Sequence, residues 1–273
     1  MFEAIILGII QGLTEFIPIS SSAHIRLAGE VFPNAIDPGA MFTAITQIGT
    51  ELAVLIYFRK DIARIISAWI SSLTHKSARN QDSRMGWLII FGSLPIVVIG
   101  YLAQDFITNE LRSLWIIATM MVVFGLILGA ADRFASKTKE LSQLTVKHGI
   151  LYGLAQSLAL VPGVSRSGAT IAMGRALGYS REAALRYSFL LALPAVFGSG
   201  LYQLKSALSE DQVAVYSLAE TFVATAIAFI VGYLVIAWLL KFVTTKSFAP
   251  FIIYRVILGS TVLVLLSTGV LSA

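Results

Sequence analysis

The chain contains no cysteine. That excludes a disulfide framework, a thiolate metal site and a cysteine nucleophile, and says nothing about compartment. Charge is also scarce: only 13% of the 273 residues are Asp, Glu, Lys or Arg, against roughly a quarter in soluble domains. Histidine occurs three times. The G-x-x-x-x-G-K-[ST] pattern of nucleotide-binding loops is absent, so ATP is not indicated. The opening residues M-F-E-A-I-I-L-G-I-I-Q-G place no basic segment before the apolar run and include Glu3, which argues against a cleaved signal peptide. No stretch reads as a linker between domains.

What is abundant is apolar surface. Hydrophobic residues make up 57% of the chain, and the mean hydropathy of +0.82 puts it in the polytopic membrane class. The net charge of +5 makes no case for nucleic acid, because the placement of the charges matters more than their sum. Six segments, 41–58, 86–103, 113–131, 187–204, 219–240 and 251–271, are apolar enough to cross about 30 Å of hydrocarbon. Two more, 2–27 and 149–174, begin apolar but are broken by Pro18 and by Pro162-Gly163 and then turn polar. Proline removes a backbone donor and clashes with the preceding turn. Broken backbone at membrane depth survives where it is buried in protein or lines a wet cavity. These two segments therefore read as re-entrant hairpins.

With six crossings, segments 59–84, 132–147, 173–186 and 241–255 share one side and hold sixteen of the 20 Lys and Arg residues. The other side keeps Arg26, Arg112 and Lys205, and Arg166 lies within the second broken segment. The positive-inside rule makes the rich side cytoplasmic. The expected fold is an all-α polytopic membrane protein with six transmembrane helices and two re-entrant helical hairpins. It forms a single membrane domain over 1–273, arranged as an inverted-topology repeat: one half about 1–131, the other about 146–273. Identities at an offset of 145 are sparse (Gly8/Gly153, Gln11/Gln156, Leu13/Leu158, Ser20/Ser165, Ser22/Ser167, Tyr57/Tyr202), so the matched position of the two breaks carries the argument. Residues 60–73 have the spacing of a short amphipathic helix on the cytoplasmic face, followed by a solvated loop at 75–84.

The polar residues concentrate at the breaks. The first reads Q-G-L-T-E-F-I-P-I-S-S-S-A-H, from Gln11 to His24, and the second P-G-V-S-R-S-G-A-T, from Pro162 to Thr170. A charge at the centre of a membrane helix costs roughly 2.5–3.5 kcal/mol on the insertion scale, so Glu15 and Arg166 call for a polar interior. Gln11 and Glu15, four apart, share a helical face. A carboxylate beside an amide oxygen suits a hard cation such as Mg²⁺ or Ca²⁺, although one carboxylate is a sparse site; alternatively Glu15 pairs with Arg166 and joins the hairpins. Ser20, Ser21 and Ser22 follow Pro18, where a new half-helix should start. One serine there is a cap, three exceed what capping needs, and a helix N-terminus attracts anions. His24 falls on the same face as Ser20 or Ser21, the pattern of an activated hydroxyl. In the second motif Gly163 and Gly168 permit turns, Ser165, Ser167 and Thr170 offer hydroxyls, and Arg166 offers a fork matched to phosphate. Glu51 has two readings, a bond to Gln47 one turn away or a place in a cavity wall. His75 and His148 lie in basic stretches and read as solvated.

Together the two motifs, with the F-x-x-x-x-Q-I-G segment from Phe42 to Gly49, resemble the undecaprenyl-diphosphate phosphatase family of the bacitracin-resistance type, and the resemblance runs along nearly the whole chain. It implies hydrolysis of undecaprenyl diphosphate to the monophosphate at the outer face of the bacterial inner membrane. That reaction recycles the lipid carrier for the cell wall, with bacitracin resistance as a consequence. By position it implies a divalent cation, Mg²⁺ or Ca²⁺, tied to Glu15 and Gln11, and Ser21 as nucleophile with His24 assisting or attacking itself. Arg166 would be essential, with Ser20, Ser22, Ser165, Ser167, Gly168 and Thr170 around the phosphates. Partners would be the polyprenyl diphosphate and membrane lipids, without nucleic acid, and homodimerisation is compatible with the reading. Two positions depart from the family pattern: Gln11 stands where many members carry Glu, and Ala23 replaces the commoner Gly. The inverted repeat alone would equally suit a polyprenyl-phosphate transporter or flippase.

Overall fold

The computed structural model describes residues 1–32, 37–135, 138–208 and 215–272, and over these it is built from helices. Six are long and apolar enough to cross a membrane: α3 (Gly39–Tyr57), α5 (Gln81–Leu102), α7 (Leu114–Phe134), α10 (Arg181–Leu208), α11 (Leu218–Thr245) and α12 (Ala249–Ser267). This is an all-α, multi-pass membrane protein. The two broken segments become pairs of short helices, α1 (Phe2–Thr14) with α2 (Ser21–Val31) and α8 (Val146–Ser157) with α9 (Arg166–Ala176). None of the four reaches the roughly 20 residues a crossing requires, and the members of each pair pack on one another.

Between the first two long helices, α4 (Arg59–Thr74) forms where the apolar periodicity places it. Ile65 is buried while Ile66, Ile70 and Leu73 remain exposed on the opposite edge, as an interfacial helix requires. The loop expected at 75–84 is shorter than the sequence suggests. Asn80 and Ser83 form a reciprocal capping box that starts α5 at Gln81. A further short helix, α6 (Gln104–Asn109), links α5 to α7. Just before α3, burial opposes ionisation of the Asp37 carboxyl, but the Arg112 fork at 2.6 and 2.9 Å outweighs it and holds the pKa below the ordinary carboxylate value.

The two halves match in their packing. Exchanging α1, α2, α3, α5 and α7 for α8, α9, α10, α11 and α12 turns the α1–α11 contact into α8–α5, and α3–α11 into α10–α5. The α3–α10 and α7–α12 contacts map onto themselves. The correspondence reaches single residues. A Cβ on Gly8 would lie 2.6 Å from the carbonyl oxygen of Ala224, and one on Gly153, 145 residues on, 2.4 Å from that of Gly92. Each short helix thus lies backbone to backbone on a long one, as small residues allow where no hydrophobic effect drives helices together. The largest apolar cluster joins Phe16, Phe58, Tyr152, Tyr187, Phe189, Val235 and Phe248, and the outward faces carry Phe91, Leu126, Leu201, Phe222, Leu234 and Ile257 for lipid. Two basic residues counted with the cytoplasmic loops are not loop charges. Arg175 and Arg255 are fully buried, Arg175 against Asp132.

The close approach gives a direct test. Gly153→Val should force α8 away from α5 and cost about 1–3 kcal/mol, read as a lower melting temperature of the purified protein in detergent. Gly8→Val should do the same to α1 and α11.

Candidate active site

Both breaks end in a serine held in an unusual conformation. Ser20 (φ 76°) and Ser165 (φ 73°) are the non-glycine residues with positive φ among those described. Such a backbone costs of order 1–3 kcal/mol and persists where its surroundings enforce it. Each serine is an N-cap. Ser20 Oγ accepts from the N–H of Ala23 at 3.4 Å, and Ser165 Oγ from that of Gly168 at 3.1 Å. Each also lies 3.2 Å from the hydroxyl two residues on, Ser22 and Ser167 respectively.

What fixes the breaks relative to each other is Arg255, in the second turn of α12. Its guanidinium donates to the carbonyls of Pro18 in the first break (3.0 Å) and of Gly163 (2.8 Å) and Val164 (3.1 Å) in the second, with Nε on Met121 O at 3.0 Å. Gly163, at φ +93°, leaves no room for a side chain, since a Cβ there would lie 2.3 Å from Ile117 O. Gly168 makes space for Arg255 itself: a Cβ would lie 2.9 Å from its Nη1. Placing the last crossing at 251–271 leaves Arg255 within an apolar run, which is itself the signal of a functional or structural charge; assigning it to the loop side hid that signal.

The residues so positioned converge on Glu15. Its Oε2 accepts from Gln11 Nε2 and Ser21 Oγ, each at 2.7 Å, and from Gln47 Nε2 at 3.4 Å. Its Oε1 accepts from Arg166 Nη2 at 2.7 Å, and the same nitrogen donates to Glu51 Oε1 at 2.6 Å. Ser167 Oγ reaches back to the Glu15 and Ile17 carbonyls, both at 3.4 Å. The two motifs, about 150 residues apart in sequence, thus form one site. Several polar atoms in it are buried with no protein partner: Arg166 Nη1, Gln11 Oε1 and Glu51 Oε2. Buried polar groups are normally satisfied, and these three are the atoms of the cluster left free to bond a ligand.

The placement corrects the expected pairing of Ser21 with His24. Ser21 bonds Glu15, while both nitrogens of His24 are engaged elsewhere: Nδ1 at 2.7 Å from Ser20 O and Nε2 at 2.9 Å from Tyr254 Oη, whose ring it stacks on. A carbonyl can only accept, so Nδ1 carries a proton and donates to Ser20 O, while Nε2 shares a hydrogen bond with the tyrosine hydroxyl. Thr170 is turned away from the cluster, its hydroxyl bonded to Arg166 O at 2.8 Å and to Ser188 Oγ on α10 at 2.6 Å. Of the two readings of Glu51, the bond to Gln47 is not formed; Gln47 serves Glu15 and Glu51 serves Arg166. Tyr254 was invisible in sequence, one tyrosine in an apolar run.

Comparison with known proteins places the chain as a whole. The family model described as "Bacitracin resistance protein BacA" matches residues 4–261. The chain belongs to the BacA family. It is 60% identical over 274 residues to the "Undecaprenyl-diphosphatase" of Pseudarthrobacter chlorophenolicus, covering 100% of this chain and 99% of the relative. It is 60% identical to the protein of that name from Micrococcus luteus over 273 residues, 99% of each. It is 57% identical to "Undecaprenyl-diphosphatase 2" of Streptomyces coelicolor over 284 residues, 99% of this chain and 96% of that one.

The BacA resemblance carries a divalent cation, and the residues fit one. A free amide oxygen, Gln11 Oε1, sits beside the Glu15 carboxylate. Among the described residues no three His, Cys, Asp or Glu side chains form a ready cage. Glu15 and Gln11 are the residues that would hold such a cation, the remaining ligands coming from substrate phosphates and water.

Arg255→Met should orphan the carbonyls of both breaks and cost at least about 3 kcal/mol, since each unsatisfied buried group costs about 1–3 kcal/mol. The melting temperature in detergent reads this loss, and Arg255→Lys, which keeps part of the donor set, should fall between.

Proposed function

We propose that the chain hydrolyses undecaprenyl diphosphate to undecaprenyl phosphate and inorganic phosphate, in the bacterial inner membrane with its site open to the outer side. The observation that carries the reading is the Glu15–Ser21–Arg166 cluster, which sets a hydroxyl, a base and a phosphate-binding fork within hydrogen-bond reach. The family membership and the names of its relatives support it, and so does the charge asymmetry of the loops. The matching contacts of the two halves support an inverted-topology repeat with both broken segments re-entrant.

In this mechanism Ser21 Oγ attacks the terminal phosphorus and its proton passes to Glu15 Oε2, the acceptor it already faces. The bond from phosphorus to the bridging oxygen breaks, and undecaprenyl phosphate leaves. The departing lipid phosphate carries off that proton. Glu15 then takes one from the water that attacks the phosphoserine, and it returns this proton to Ser21 Oγ as the bond from phosphorus to Oγ breaks and inorganic phosphate departs. Arg166, whose Nη1 has no protein partner, binds the phosphate oxygens and stabilises the charge on the transferring group. The N-termini of α2 and α9 add backbone dipoles of the same sign. Glu15 and Gln11 would hold the cation, which when bound neutralises diphosphate charge. His24, one turn after Ser21 on α2, bonds Tyr254 of α12.

Phosphate release from purified protein and undecaprenyl diphosphate, with and without a chelator, tests the activity; no release with any divalent cation overturns it. Arg166→Ala should lower turnover by at least about 10²–10³-fold, the scale for removing one such donor, in protein that still runs as a folded species. Ser21→Ala should abolish both turnover and the labelled phosphoserine that mass spectrometry detects in the parent enzyme.

A further inference from the structure

Gln11 leaves the expected cation site short of a carboxylate, and the fold supplies one from elsewhere. Glu51 lies on α3, 36 residues from Glu15 in sequence, fully buried in the apolar body. Its Oε1 and Glu15 Oε1 converge on the same atom, Arg166 Nη2, at 2.6 and 2.7 Å. Its other oxygen has no protein partner, and neither has Gln11 Oε1. Two carboxylates meeting on one positive charge, with two buried acceptor atoms left over, form the donor set of a hard cation.

Charge points the same way. With both acids ionised, Glu15 and Glu51 contribute two negative charges, and Arg166 and the buried Arg255 two positive ones. With His24 neutral, these residues sum to zero. Such a site offers a lipid diphosphate, with two or more negative charges, no net attraction, and one divalent ion changes that. The two acids could be read as counterions for Arg166 alone, but that leaves Glu51 Oε2 desolvated and unbonded, a cost with no return.

We infer that Glu51 is the second carboxylate of the divalent-cation site, standing in from α3 for the acid that position 11 lacks. The inference rests on the phosphatase reading for its substrate but concerns the cation alone, so the two can fail separately. The probe is Mn²⁺ titrated into the purified protein in detergent, with and without methylenediphosphonate, and followed by electron paramagnetic resonance. Glu51→Gln keeps the size of the side chain and an acceptor for Arg166. It should weaken Mn²⁺ binding by at least about tenfold, as affinity follows the charge count of the ligands, and raise the Mg²⁺ needed for half-maximal phosphate release. Adding Gln11→Glu to that variant should restore both to within about threefold. Unchanged Mn²⁺ affinity in Glu51→Gln, or no recovery in the double variant, overturns the inference. Should Glu51→Gln not fold, Gln11→Glu alone decides: a third carboxylate beside Glu15 and Glu51 should tighten Mn²⁺ by about tenfold or more, and an unchanged affinity overturns the proposal. Glu51-dependent Mn²⁺ binding in a protein that releases no phosphate would leave this site standing and remove the phosphatase reading.

Discussion

One guanidinium nitrogen, Arg166 Nη2, joins α9 to the end of α1 and to the middle of α3 through two buried carboxylates. Everything else at the site is arranged around that bridge. In an apolar body it is a poor device for stability. Buried ion pairs repay their desolvation only with good geometry, and apolar replacements of similar volume are often neutral or better. The bridge also leaves Arg166 Nη1 and Glu51 Oε2 without partners, so it is not built for self-sufficiency. Its geometry makes sense as a charge arrangement kept for a ligand that carries phosphate and cation together.

The bridge requires two chain breaks to be held at one depth. Ser20 and Ser165 pay for that with positive φ, and Arg255 holds both breaks by their carbonyls. The same device appears twice, 145 residues apart, with the same cap, the same neighbouring hydroxyl and the same glycine-on-carbonyl seat for the helix before it. The two copies have divided the chemistry. Gln11 and Glu15 lie four apart on α1, but the positions matching them on the second half are Gln156 and Leu160, and the charge there is Arg166 instead. Neither copy could act alone.

Much of this was legible without coordinates, for physical reasons. Long apolar runs and the proline breaks leave few folds open in a bilayer, so the six crossings, the two interruptions and the meeting of Glu15 with Arg166 followed from hydropathy, chemistry and resemblance. What stayed hidden depended on which way a side chain turns. Helical spacing put His24 on the face of Ser21, yet the positive-φ cap rotates the start of α2 so that Ser21 meets Glu15 and His24 meets Tyr254. Arg175 lies one residue past the end placed for the second broken segment, and Arg255 was counted with the loop although it falls inside the crossing placed at 251–271. Gln47 and Glu51, one turn apart, seemed partners by spacing, whereas tertiary contacts separate them.

A carboxylate base for Ser21 raises a question that the contacts answer. Glu15 accepts from four side chains, Gln11, Gln47, Ser21 and Arg166, so an acceptor site for the serine proton has to be freed. In the proposed cycle Arg166 turns part of its fork to the incoming phosphates, and Glu15 loses its strongest donor just as Ser21 must lose its proton. Substrate binding then frees the acceptor that the step needs. Before the diphosphate arrives Arg166 occupies one oxygen of Glu15 and Ser21 donates to the other, and in the proposed cycle the hydroxyl becomes a nucleophile only when a phosphoryl group is in place to receive it.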